Sequence, residues 1–113
     1  MTLHEAFYES MKLCGYTNQD GVIDNDNTLP KLLTFGNSVL AELKKGEFEP
    51  FETLDDEIPL DKRVIYDCFL YGLAMWLALH NNDGDMQQIM SSLYEQKKHN
   101  ITERYVIEDT FLR

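Results

Sequence analysis

Apolar residues return every three or four positions from Leu3 to Cys14: Leu3, Phe7, Met11 and Cys14 form one stripe, with Ala6 and Leu13 beside it. That period predicts an amphipathic helix over 3–14. Thr2 and Glu5 stand at the spacing at which each side chain satisfies the other's free backbone donor. Gly15 follows, able to end the helix in the left-handed conformation. The polar stretch from Tyr16 to Asn27 has a turn signal at Asp20-Gly21 and reads as a surface loop with Val22 and Ile23 tucked beneath it.

A second helix is predicted over 28–45. Thr28 can cap it, and Pro30 sits in the first turn, where its missing donor has no partner to lose. Leu29, Leu33, Gly36, Leu40 and Leu43 form a narrow seam. Lys44 and Lys45 complement the negative end of the helix dipole, and Gly46 stops it. These two helices are expected to pair antiparallel. From Glu47 to Leu60 two prolines and mixed charge leave no helical period, so this segment is expected to be extended.

Asp61 opens the third helix, 62–80, and no charge interrupts it from Cys68 to Leu79. A helix apolar on nearly every side must be covered by its own bundle, by partner chains or by lipid. The run is shorter than the ~20 residues of a membrane span. Gly72 in its interior costs ~1 kcal/mol relative to alanine, which points to a close backbone neighbour. After the turn Asn81-Asn82-Asp83-Gly84, Asp85 starts a fourth helix over 85–98, with Met86, Ile89 or Met90, and Leu93 buried and Tyr94 at the margin. In the tail, Tyr105, Ile107 and Phe111 alternate with polar residues, a strand-like pattern. The expected fold is therefore mainly α: a four-helix bundle-like domain (1–100), an extended segment between helices 2 and 3, and an extended C-terminal arm (101–113).

With 113 residues the chain has room for one domain and one modest core. Its formal charge of −10 disfavours nucleic-acid backbones and anionic membranes. It suits a basic partner, or a wall along which DNA slides. Cys14 and Cys68 sit inside helical patterns far from any paired-cysteine spacing, so both read as small buried hydrophobes in a reducing compartment. No secretory signal is visible at the N-terminus, and a soluble chain made in a cytoplasm is expected.

No pattern of catalysis or cofactor binding emerges. Placing Gly21 sixth in a calcium loop would need carboxylates where Tyr16 and Asn27 stand, and placing Gly84 sixth puts Leu79 first and Met90 last. His4, His80 and His99 lack zinc-motif spacing. Asp55, Asp56 and Glu57 are adjacent carboxylates, which on extended chain point to different sides. Trp76 with Met75, Phe69 and Tyr71 reads as core rather than as a ligand pocket. No enzyme, cofactor or metal is expected.

Leu13-Cys14-Gly15-Tyr16, the stretch Asn37 to Leu43, Leu54-Asp55-Asp56-Glu57-Ile58-Pro59-Leu60, Phe69 to Leu79 with Tyr71-Gly72-Leu73-Ala74, and the turn before Met86 to Lys98 together resemble the head–tail connector (adaptor, or head-completion) proteins of tailed bacteriophages and prophages. The resemblance spans most of the chain and is weakest beyond Asn100. It implies a ring of identical subunits in the virion neck, assembled in the host cytoplasm. The ring would lie between the portal protein and a tail-side or stopper protein, with DNA passing through unbound and no membrane involved. Free subunits could remain monomeric. Contacts between subunits or with the portal would fall to Leu54–Leu60 and to Tyr105, Ile107 and Phe111. The rival expectation is a small acidic inhibitor that mimics DNA, or another helical interaction module.

Overall fold

The computed structural model describes residues 1–16, 29–44 and 48–112, with side-chain surroundings for those up to Asn100 other than Leu29. The expected loop, the Thr28 cap and the Lys45-Gly46 stop lie outside the described residues. Those described form four helices: α1 (Leu3–Leu13), α2 (Leu29–Lys44), α3 (62–80) and α4 (Gly84–Leu112).

α1 starts and ends as its sequence dictates. The Thr2 hydroxyl accepts from the Glu5 amide at 3.2 Å, and the Glu5 carboxylate accepts from the Thr2 amide at 3.2 Å. At the other end Gly15 adopts φ +74°, so its amide reaches the Lys12 carbonyl while that of Tyr16 reaches Met11. This paired closure of the last turn needs a residue free of a Cβ penalty at positive φ.

α3 is one helix with a π turn inside it. Regular α geometry covers Lys62–Val64 and Leu70–His80, and Ile65–Phe69 is wider, the Leu70 amide donating to the Ile65 carbonyl. The Asp61 side chain caps the helix by accepting from Arg63. One inserted residue turns the helix face by about 100° between its two halves.

The apolar α3 is covered mostly by its own chain. Ser10 of α1 and Cys14 at its C-terminal cap meet the carbonyls of Leu70 and Ala74; the constant offset means that α1 and α3 run parallel. On another side Phe35 stacks on Trp76 at 5.1 Å, and Val39 lies against Gly72, so α2 runs antiparallel to α3. α4 returns antiparallel, with Tyr94 against Gly72 and Lys97 over Tyr71 at 4.6 Å. α1 and α2 therefore run antiparallel to each other, as expected, but each packs mainly on α3, and they touch where Leu3 meets Gly36. Of the charge-free run only Leu79 is well exposed, at 45%.

Several inward faces differ from expectation. In α2 the fully buried residues are Leu32, Val39 and Leu40, while Leu33 and Leu43 are half-buried. In α4 Tyr94 is fully buried and Ile89 is exposed, because the face toward α3 runs through Met90 and Tyr94. Leu13 lies at the surface. The close neighbours of Gly72 are side chains, not backbone: a Cβ there would come within 2.8 Å of Val39 Cγ1 and 2.9 Å of Tyr94 Cε1.

The extended C-terminal arm is corrected to helix. α4 continues through Leu112 and crosses residue 100 without a break. Neither glycine nor proline follows Gly84, and adding a residue to an existing helix is far cheaper than nucleating one. Tyr105, Val106 and Ile107 are also consecutive, so the alternation that suggested a strand is incomplete.

Candidate functional site: the acidic connector and the end of α4

The first three amides of α1 have no partners within the helix itself. The acidic segment between α2 and α3 (48–61), called the connector below, supplies two of them. The Leu3 amide donates to the Asp56 carbonyl at 3.0 Å and the His4 amide to the Leu54 carbonyl at 2.8 Å, while Glu5 is taken by Thr2. The Ile58 amide returns to the Met1 carbonyl at 3.0 Å, and Thr2 and Glu57 form an antiparallel bridge between these bonds. The amino group of Met1 pairs with the Glu57 carboxylate at 2.9 Å.

The seven residues singled out in the connector are thus bound to their own chain. Ile58 is buried, Leu54 and Leu60 are half-buried, and Asp55, Glu57 and Pro59 are exposed. The head of α1 thus satisfies much of the backbone of this segment without a second chain.

Asp56 shapes the turn. Its carboxylate accepts from the Glu52 amide at 2.8 Å, the Thr53 amide at 3.1 Å and the Thr53 hydroxyl at 3.2 Å. The backbone donors of Glu52 and then Thr53 hold its pKa below the ordinary carboxylate value, against a small opposing effect of burial. Asn37, a polar residue within the α2 seam, anchors the other side. Its Oδ1 accepts from the Phe51 amide at 2.6 Å and its Nδ2 donates to the Phe51 carbonyl at 3.2 Å. The side-chain amide thereby does what a neighbouring strand would do. The only hint of it in the sequence is an asparagine inside an otherwise apolar pattern.

α4 provides the second part. Lys98 donates to Glu42 at 2.7 Å and Glu95 at 3.1 Å, tying α4 to the end of α2. Burial lowers the Lys98 pKa, but the hydrogen bonds to Glu42 and Glu95 and their charges outweigh it, so the net shift is upward. With Tyr71 opposite Lys97 and Gly72 opposite Tyr94, the antiparallel register brings Lys62 level with about residues 104–106. The last turns of α4, carrying Ile107 and Phe111, therefore run past the start of α3, with Tyr105 level with it. The connector enters α3 at that same end, so backbone placement brings the two expected contact segments to one end of the bundle.

Among the described residues no group of three or more histidine, cysteine, aspartate or glutamate side chains is placed to hold a metal ion. Among them, too, no helix is long and apolar enough to cross a membrane. Both cysteines are free and buried; burial pushes Cys14 up to about 11 and Cys68 up to about 12. No family model matches the chain, and no curated protein or solved structure is significantly similar to it.

Proposed function

We propose that this protein is a head–tail connector subunit of a tailed phage or prophage. Copies form a ring beneath the portal protein, extend the DNA channel and present a surface to the tail-side protein. The observation that carries the proposal is the overrun of α4: a helix of ~43 Å in a molecule 46 Å long continues beyond the helix it packs on, at the end where the acidic connector lies. The end of a helix that outruns the helix it packs on is suited to docking in a groove of another chain. Identical contacts repeated head to tail close into a ring when the rotation allows it.

The net charge of −10 fits the channel role, because an acidic wall gains no counterion release from DNA and lets it pass. The motif resemblance along the chain supports the same reading. Electron microscopy of the protein mixed with its cognate portal tests it. Rings seated on the portal are expected, and portals that stay bare at saturating protein would overturn the proposal.

A further inference from the structure

A shallow groove of about 1070 Å3 lies along the connector, and its chemistry is two-sided. Phe48, half-buried, and Phe51, 5% exposed, give it an aromatic lining, with Phe51 braced edge-on against Phe69 at 6.4 Å. Around them stand Glu49, Glu52, Asp56 and Glu57 and, among the described residues, one cation, Lys44. Four acidic groups to one basic is twice the acidic excess of the whole chain, where twenty face ten, so the groove is more than background charge.

These carboxylates are not equivalent. Asp56 is occupied by the turn it holds, and Glu57 by the amino group of Met1. Glu49 and Glu52 are exposed, and among the described residues their side chains have neither an ion-pair nor a hydrogen-bond partner. Two free carboxylates beside an aromatic surface match a ligand with cationic heads on apolar stems. Arginine and lysine have that construction, and arginine also stacks on aromatic faces.

We propose that this groove receives an arginine- or lysine-rich segment of a partner protein with apolar residues between its cations. Glu49 and Glu52 pair with the cations, and the apolar side chains lie on Phe48. Nucleic acid is repelled from the same surface. A small polyamine would find the charge but would leave the aromatic lining unused. The groove belongs to the single chain, so the proposal stands or falls apart from the connector reading.

Isothermal titration calorimetry of the full chain at low salt tests it with a capped hexapeptide alternating arginine and leucine. The comparison ligands are a hexapeptide alternating arginine and serine, and spermidine. The leucine peptide is expected to bind about tenfold more tightly than either, since apolar anchors carry much of such an interface. Glu49→Gln combined with Glu52→Gln should weaken it about five- to tenfold, as two solvent-facing ion pairs allow. Phe48→Ala should weaken the leucine peptide and leave the serine peptide unchanged. Asp67→Asn combined with Asp85→Asn removes two exposed charges elsewhere and should change nothing. Equal binding of all three ligands, an equal loss in the distant double variant, or no binding of the leucine peptide overturns the proposal. Circular dichroism confirms that each variant is folded, and the glutamine substitutions at exposed positions remain decisive if Phe48→Ala is not.

Discussion

The Ser10 hydroxyl, fully buried on α1, donates to the Leu70 carbonyl on α3 at 2.9 Å, the first residue after the π turn, and lies 2.8 Å from the Ala6 carbonyl of its own helix. Four residues on, the Cys14 thiol meets the Ala74 carbonyl at 3.6 Å. Small side chains let the two helices approach, and their polar atoms fix the register. Ser10→Ala should cost ~1 kcal/mol, the net value of a hydrogen bond. Ser10→Val should cost more, because the added methyl has no space. Urea denaturation of the two variants checks the order.

Gly72→Ala should destabilise by ~1–3 kcal/mol even though alanine is the better helix former, because its Cβ would press on Val39 and Tyr94. Val39→Ala in the same chain should recover part of the loss. A double-mutant cycle measures the coupling, and strict additivity would show that Val39 is not the obstacle.

Acid sensitivity should trace in part to Asp56. Its folded-state pKa is lowered, so its contribution is full above the unfolded value near ~3.9 and is lost as pH falls through the folded value. The Tm gap between the native chain and Asp56→Ala should stay constant from about pH 8 to pH 5 and narrow below about pH 4. Glu5 is shifted the same way by Thr2 and titrates in both proteins, so the difference isolates Asp56.

Cys14 and Cys68 should react slowly with a disulfide reagent at pH 8, since burial raises both thiols well above that pH. Labelling in mild denaturant should rise with the unfolded fraction. Fast labelling of the native protein would contradict the burial described for either site.

Under the proposed function, deleting Tyr105–Arg113 should abolish ring formation on the portal while changing folding stability by less than about 0.5 kcal/mol. Loss of folding would place that end of α4 in the core of its own domain. Normal rings from the truncated chain would move the contact elsewhere.

The hydrophobic period revealed four helices because each buries an apolar stripe, and the Thr2–Glu5 box, Gly15 and Asp61 marked ends through local hydrogen bonding. Partners were less legible, since a stripe shows that a face is buried and not against what. Of the seam expected in α2, Gly36 and Leu40 are buried, but packing on α3 chose Leu32 and Val39 in place of Leu33 and Leu43. The π turn carries no glycine or proline to announce it. Apart from the Met1–Glu57 ion pair, the binding of the connector to the head of α1 rests on backbone hydrogen bonds, which every residue can make, so the side-chain pattern encodes little of it.

The constant offset of sixty residues between Ser10 and Leu70, and between Cys14 and Ala74, has a consequence for birth on the ribosome. α1 emerges first, but the surface it packs on is synthesised sixty residues later, about 3–12 s at usual elongation rates. The α3–α4 hairpin closes across a short turn and can form early, whereas docking α1 requires closing a long loop. Pulse-labelled hydrogen exchange should therefore protect α3 and α4 before the amides of Leu3 and His4. Until then Leu3, Phe7 and Met11 wait uncovered, and the interval in which a chaperone can grip this chain is set by the distance from its first helix to its third.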